Sequence, residues 1–399
     1  MTNLIDFSDE QVEGLEPYLG DGFKKKKKTR IVPLVISLSL VSALIGGGVG
    51  GTLVGLQDQH DGTATILSVP DNSTNTVANS ASNNLSDIIA AKLKSVVTIS
   101  AVSGNNGGTG SGVILDKEGY IVTNAHVATL EGATDKGTLT VQTNSGKTYP
   151  AKLVGYDSVA DLAVVKIDAP SSELQPIIFA NSSGVKVGSE TIAIGSPLGL
   201  SGTVTTGIVS ALNRPITVSS SEVLGANTTS SASSTIALSA IQTDASINAG
   251  NSGGALLDAK GNLIGINVAI ASAGATASGN AGGSIGVGFA IPSDYVKRIA
   301  LELINDGKGT HATLGASLAD YKQGKATFST GAEIKTLSPG AAAEKSGLKV
   351  GDVVTKVDGT IVESSSQLAA LIKQQKPGTS IQLTYERAGK EATVSIVLG

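Results

Sequence analysis

From Leu85 onward the chain is cut into short apolar runs by glycine, asparagine, aspartate and proline, and a chain cut that way has little room for long helices. Each interruption costs a helix about 1 kcal/mol for glycine and about 3 for proline. A strand needs only a turn at either end. Fifty glycines among 399 residues, with abundant serine and threonine, therefore predict many short strands and a sandwich or barrel. Hydrophobic residues at 40% suffice for true cores, and aromatics at 3% make those cores aliphatic. The length allows two or three domains.

Two stretches carry the same hairpin scheme. GVILDKEGYIVTN (residues 112–124) turns at DKEG, and GALLDAKGNLIGIN (254–267) repeats the pattern, with Gly112, Leu115, Asp116 and Gly119 matched by Gly254, Leu257, Asp258 and Gly261. The pair points to two similar β units. The first runs straight into His126, and the second is immediately preceded by Ser252.

The amino-terminal part is different. KKKKKTR (24–30) precedes an uncharged run, residues 31–56, that would make roughly 39 Å of helix against a hydrocarbon core of ~30 Å. A cleaved signal peptide would have a shorter apolar region and a small-residue cleavage motif, and no clean A-x-A site occurs. The reading is a single transmembrane anchor at 31–56, set in the lipid bilayer of the cell membrane. The basic cluster and the tail 1–30 are cytoplasmic and everything beyond lies on the extracellular side. Residues 57–84 are rich in Ser, Thr and Asn without period, which predicts a flexible tether. LSDIIAAKLKSVVTISAV, from Leu85, starts as an amphipathic helix and becomes a strand. Far downstream, SSSQ (364–367) is a capping box ahead of a helix whose apolar face is Leu368, Leu371 and Ile372. The final hairpin places Ile381, Leu383 and Tyr385, then Ala392, Val394 and Ile396, on one face.

Exclusions narrow the chemistry. The absence of cysteine rules out a disulfide scaffold, a thiol nucleophile and thiolate metal sites. A net charge of −4 gives no ground for nucleic acid binding. The three histidines are scattered, no HExxH occurs, and GGTGSG (107–112) lacks the lysine and helix of a phosphate loop. No metal and no cofactor is expected.

Ser252, in GNSGG, remains. Serine between glycines is a common turn, and GNSGG also satisfies the G-x-S-x-G of a nucleophile elbow. An elbow needs a strand before the serine, a helix after it, and the acid and histidine later in the chain. Here strand, turn and strand follow, and the only later histidine is His311 in KGTHA. The opposite order fits: His126 after a strand in IVTNAHVA, Asp161 opening another in DLAVVKI, and Ser252 last. A serine hydroxyl needs a neutral imidazole to take its proton and a buried carboxylate to hold that imidazole's tautomer. Gly250 and Ser252 are the candidate backbone donors to an oxyanion. By spacing alone, Asp157, Asp168 and Asp244 compete with Asp161.

TNAHV, DLAVVKI, GSPLGLSGTVTTGIVSALNRP, QTDASINAGNSGGALLDAKGNLIGIN and VGFAIP together resemble the HtrA family of trypsin-like serine proteases. The resemblance implies a mainly β fold: a trypsin-like double six-stranded β-barrel over 85–303, with His126 as base, Asp161 as orienting acid and Ser252 as nucleophile. It selects Asp161 among the aspartates. After a linker at 304–312, residues 313–399 are similar to the small α+β PDZ domain of this family, which binds C-terminal peptides along a strand edge. Thr313, Leu314, Gly315 and Ala316 match its carboxylate-binding loop, without the tyrosine many members carry just before it. Residues 217–240 and 273–284 fall where the family has active-site loops, and their polar composition predicts an active site that needs ordering. In a trypsin-like fold Ser246, Ile247, Asn248, Ile266, Asn267 and Val268 should line the specificity pocket. None is charged, so a small aliphatic residue is expected before the scissile bond.

The resemblance thus implies an ATP-independent serine endopeptidase, a homotrimer, acting on misfolded or unfolded extracytoplasmic proteins. Competing functions are a signalling protease that cuts one membrane substrate, a chaperone-like peptide-binding protein, and an esterase of another fold.

Overall fold

The structure, a computed structural model, describes residues 84–130, 134–196, 202–219, 235–248, 250–268, 284–324 and 327–399. Helix α1 (Leu85–Lys92) opens it. Asn84 caps this helix by accepting the Ser86 N–H at 3.3 Å.

Six strands then close a barrel: β1 (Val96–Ser103), β2 (Asn106–Ile114), β3 (Tyr120–Thr123), β4 (Thr138–Gln142), β5 (Thr148–Asp157) and β6 (Leu162–Ile167), in ring order β1-β2-β3-β6-β5-β4. A second barrel follows from β7 (Glu190–Gly195), β8 (Thr203–Ser219), β9 (Thr235–Thr243), β10 (Ala255–Asp258), β11 (Leu263–Val268) and β12 (Gly288–Pro292). Its ring order, β7-β8-β9-β12-β11-β10, has the same topology six strands on. Alternation along the strands explains how the barrels join. On β6, Ala163, Val165 and Ile167 fill the first barrel, while Leu162 and Val164 turn outward into a shared core with Ile194, Ala255, Ile266 and Ile291 of the second. A strand buried on both faces reads as a continuous apolar run, as DLAVVKI does.

The two similar hairpins are real as local structures. Asp116 Oδ1 accepts the N–H groups of Glu118 (2.9 Å) and Tyr120 (3.2 Å). Asp258 Oδ1 accepts those of Lys260 (2.9 Å) and Asn262 (2.8 Å). Gly119 and Gly261 supply the positive φ of each turn, +95° and +78°. Yet β2–β3 are the second and third strands of their barrel and β10–β11 the fourth and fifth of theirs. The likeness is that of one turn chemistry used twice, and the barrel repeat is carried by topology instead.

A further correction concerns residues 217–240. The resemblance placed an active-site loop over all of this, but β8 runs to Ser219 and β9 begins at Thr235, and Leu238 and Ala240 are core residues. Ladder pairing between β8 and β9 overrides weak local propensity. The intervening 220–234 lie outside the described residues, as do most of 273–284.

Helix α3 (Ser293–Asp306) packs Val296, Ile299 and Leu303 onto the inter-barrel core and stops at Gly307, φ +72°. The third unit is a sheet of β13 (Ala316–Tyr321), β14 (Gly331–Leu337), β15 (Val353–Val357), β16 (Thr360–Ile361), β17 (Ser380–Arg387) and β18 (Lys390–Val397), with helices α4 (Ala342–Lys345) and α5 (Ser365–Lys373). In it β13 is an edge strand. The predicted cap forms in part: Ser364 Oγ accepts the Gln367 N–H (3.1 Å), while Gln367 Oε1 accepts the N–H of Glu363 (2.8 Å), one residue before the Ser364 N–H that a capping box engages. Leu368, Leu371 and Ile372 enter the core.

The joint between second and third units is polar. Gln367 Nε2 donates to the Asn213 carbonyl (3.2 Å) and Gln374 Nε2 to that of Ser239 (2.5 Å). His311 Nε2 lies 2.7 Å from Asp157 Oδ2, and its Nδ1 lies 3.2 Å from the Tyr295 hydroxyl. Burial pushes the Tyr295 hydroxyl above the ordinary phenol range, with the neighbouring Asp157 carboxylate acting in the same direction. Among the described residues no helix is long and apolar enough to cross a membrane, and the expected span at 31–56 lies outside them.

Candidate active site

Local chemistry positions each expected triad member. His126 is the second residue of α2 (Ala125–Ala128), a single turn after β3. The turn lies close against β2 because position 110 is glycine: a Cβ there would come 2.7 Å from both methyls of Val127. Asp161 ends the β5–β6 connection, which Asp157 closes by accepting the Ala160 N–H at 2.9 Å. Its φ of +50° is a left-handed conformation that a non-glycine residue rarely holds.

The two side chains meet. Asp161 Oδ1 accepts the backbone N–H of His126 (3.1 Å), and the imidazole Nδ1 lies 3.0 and 2.9 Å from the two carboxylate oxygens. With the carboxylate 4% exposed and the imidazole 16%, water competes little for this contact. A carboxylate only accepts, so Nδ1 carries the proton and Nε2 keeps its lone pair. Asn124, buried just before α2, donates from Nδ2 to the Asp161 carbonyl at 2.9 Å and holds the acid from behind. The rival aspartates are elsewhere: Asp157 faces His311, Asp244 accepts the Ile208 N–H, and Asp168 is exposed.

Ser252 lies in a turn built from glycines with positive φ, Gly250 at +95° and Gly253 at +80°. The Asn251 N–H donates to the Asn248 carbonyl (3.0 Å), and the Gly253 N–H to that of Asn267 (3.0 Å). Two bonds tie this turn to the first barrel: the Ser111 N–H to the Ser252 carbonyl (2.8 Å) and the Ser111 hydroxyl to the Gly250 carbonyl (2.6 Å). Thr123, three residues before His126, donates to the Ser111 carbonyl at 2.6 Å. Ser111 of strand β2 is therefore bonded both to the nucleophile turn and to Thr123, which leads into the histidine segment. Sequence reasoning missed Ser111, Asn124 and Thr123. Their signal was position alone, beside the glycines of GTGSG and inside TNAHV.

The pocket residues divide. Asn248 Oδ1 accepts the Ser284 N–H (2.7 Å) at the surface, and the Ser246 carbonyl accepts the Thr205 hydroxyl (2.9 Å). Ile247 packs against Gly288, where a Cβ would come 2.5 Å from its Cγ1. The side chains of Ile266 and Val268 lie in the inter-barrel core. Asn267, also buried, donates from Nδ2 to the Ala255 carbonyl (2.9 Å).

In the third unit the expected carboxylate loop is also partly revised. The Thr313 N–H is already committed to the Gly399 carbonyl at 2.7 Å, and Thr313 accepts in return at 3.1 Å, so it belongs to the sheet margin. Leu314, Gly315 (φ +72°) and Ala316 form the turn into the edge strand β13. Asp320, on β13, accepts both the N–H and the hydroxyl of Ser365 and so clips the start of α5 beside that edge.

A pair of six-stranded barrels carrying a His–Asp couple and a glycine-turn serine, joined to an edge-strand peptide module, defines a trypsin-like serine endopeptidase with a PDZ domain. Residues 110–266 match the trypsin-like peptidase domain family, and residues 312–398 the PDZ domain family. The chain is 40% identical over 376 residues to the serine protease PepD of Mycobacterium tuberculosis, covering 91% of this chain and 76% of PepD. It is 38% identical over 297 residues to the periplasmic pH-dependent serine endoprotease DegQ of Escherichia coli, covering 73% of this chain but only 59% of DegQ. Among solved structures the HtrA-type protease AlgW with a tripeptide superposes with a TM-score of 0.56 at 32% identity, over 79% of this chain and 97% of AlgW. The chain belongs to the HtrA family of serine proteases.

Proposed function

We propose that His126, Asp161 and Ser252 form the catalytic triad of an ATP-independent endopeptidase acting on unfolded or misfolded extracytoplasmic proteins. The observation that carries it is the Asp161 carboxylate, which grips both the backbone N–H and Nδ1 of His126. That grip leaves Nε2 as the base for the Ser252 hydroxyl. Attack of Ser252 Oγ on a peptide carbonyl gives a tetrahedral intermediate, whose oxyanion the Gly250 and Ser252 N–H groups stabilise. Such a donor is worth about 2.7–4 kcal/mol. Imidazolium then protonates the leaving amine, and water repeats the cycle on the acyl-enzyme.

The turn at Leu314–Gly315–Ala316 and the edge of β13 receive the C-terminus of a substrate or signal peptide. Support comes from the AlgW structure with a tripeptide and from the bonds of α5 to β8 and β9, which connect that groove to the protease. Anchoring in the cell membrane through residues 31–56, an extracytoplasmic catalytic part and a homotrimer complete the reading. The basic cluster beside the apolar run supports the first two.

The test is fluorophosphonate labelling and casein hydrolysis by the full chain in detergent. Ser252→Ala should abolish both, and His126→Ala should cost up to ~10⁶-fold in rate. Comparable turnover in either variant would remove the triad. A free-acid peptide should outbind its C-terminal amide by at least about tenfold, roughly 1.4 kcal/mol. Light scattering reports the trimer, and protease protection of intact cells reports the topology.

A further inference from the structure

We propose that Ser111 is a positioning residue for the oxyanion donors, an inference that rests on the triad reading above. Ser111 is wholly buried on β2, and each of its polar groups is engaged. Its hydroxyl accepts the Ser196 N–H (2.8 Å) and donates to the Gly250 carbonyl (2.6 Å). Its N–H donates to the Ser252 carbonyl (2.8 Å), and its carbonyl accepts the Thr123 hydroxyl (2.6 Å). One residue of the first barrel thus holds the carbonyls of Gly250 and Ser252, the two residues whose N–H groups face the developing charge.

Gly250 needs such a hold. At φ +95° it lies inside a turn closed by the Asn251 N–H on the Asn248 carbonyl, a backbone conformation that favours glycine. Glycine populates this conformation and its alternatives with similar ease. The Gly250–Asn251 peptide plane is held at one edge by that turn bond and at the other by the Ser111 hydroxyl. The Gly250 N–H belongs to the preceding peptide, so this plane positions it through the Gly250 Cα: moving that Cα, and the N–H with it, away from the oxyanion position strains a buried hydrogen bond.

The clamp is itself anchored. Thr98, opposite Ser111 in the β1–β2 ladder, donates to the Ser196 carbonyl at 2.9 Å and lies 2.7 Å from the Ser196 hydroxyl. Glycines at 195 and 253 let the parts close: a Cβ at 195 would come 2.3 Å from Asn251 Oδ1, and one at 253 would come 2.1 Å from the Ser111 carbonyl oxygen. Seryl geometry at 111 therefore couples strand β7, through Ser196, to the turn that carries the nucleophile.

Ser111→Ala in the full chain tests this against wild type and Ser252→Ala. A transition-state donor acts on kcat and leaves ground-state binding alone. The expected result is a kcat lowered about 10- to 100-fold per titrated active site, below the ~10²–10³ of losing a donor outright, with KM within about twofold. A peptide boronic acid, whose tetrahedral adduct needs the same donors, should weaken by a similar factor, while a non-covalent product peptide binds unchanged. A kcat within twofold of wild type overturns the proposal. So does a fall confined to the fraction of titratable sites, or an equal loss of boronate and product-peptide affinity, since either outcome marks a merely structural serine. Activity surviving in Ser252→Ala would refute the triad reading itself, whatever Ser111→Ala does.

Discussion

Replacing Asp161 by asparagine separates the proposed mechanism from its rivals because shape is kept and only hydrogen-bond polarity changes. Asp161 presents Oδ1 to the His126 backbone N–H and both oxygens to Nδ1. In Asp161→Asn, an amide oxygen kept on the backbone N–H puts the NH2 group against Nδ1. Nδ1 must then accept, the ring proton moves to Nε2, and no lone pair faces Ser252. The flipped amide sets its NH2 against the backbone N–H, two donors face to face. Either arrangement loses a charge-assisted bond worth about 1.5–3 kcal/mol, and the first also supplies the wrong tautomer. A change of this kind in a Ser-His-Asp triad lowers kcat by roughly 10⁴, about 5 kcal/mol at ~1.36 kcal/mol per decade. The assay is kcat on a chromogenic peptide for Asp161→Asn, with Asp157→Asn and Asp168→Asn alongside and folding checked by circular dichroism. The two control variants should stay within a few fold of wild type. A folded Asp161→Asn enzyme within tenfold of wild type, or a larger loss in Asp157→Asn, would refute the assignment.

Three further outcomes follow from the same contacts. Gly253→Ala forces a left-handed φ on alanine and drives its Cβ onto the Ser111 carbonyl, a loss of roughly 2–5 kcal/mol. An unchanged thermal midpoint would contradict that packing. His311→Ala removes the partner of the buried Asp157 carboxylate, costing about 1.5–3 kcal/mol. It should also speed limited proteolysis between residues 306 and 312, and equal cleavage rates would show that the joint does not depend on it. Burial alone would raise the Asp352 carboxyl, but the Arg387 guanidinium and the Lys349 N–H outweigh it and hold the group below the usual carboxylate range. A depressed carboxyl stabilises above its unfolded value of ~3.9 and loses that contribution as pH falls through the folded one. The stability gap between wild type and Asp352→Asn should therefore be full at neutral pH and shrink below about pH 4. A gap that widens on acidification would invert the sign.

Much of the architecture was legible in the chain because it is written in local periods. The apolar run DLAVVKI became a strand buried on both faces, the SSSQ box capped α5, and the two aspartate turns formed the hairpins their spacing implied. Where local signals were weak, the reading failed. The polar composition of 217–240 concealed the ends of β8 and β9, whose pairing is a ladder between distant segments. The trypsin-like resemblance put Ile266 and Val268 at the specificity pocket, and the packing of their side chains into the seam between barrels was not legible from their neighbours in the chain. The amide of Thr313 was claimed by a carbonyl 86 residues away.

The sequence by itself determined the kinds of element, the turn chemistry that joins them and the residue types able to perform acyl transfer, since each depends on neighbours a few positions apart. Spacing alone left the aspartate open until the family resemblance chose Asp161; the tertiary structure brings it to His126 across 35 residues, and it alone decided which serine holds the Gly250 carbonyl across 139. Those choices are made by barrel closure. Closing each sheet on itself sets every strand against two others, and the register of that closure brings distant backbone groups within hydrogen-bonding distance.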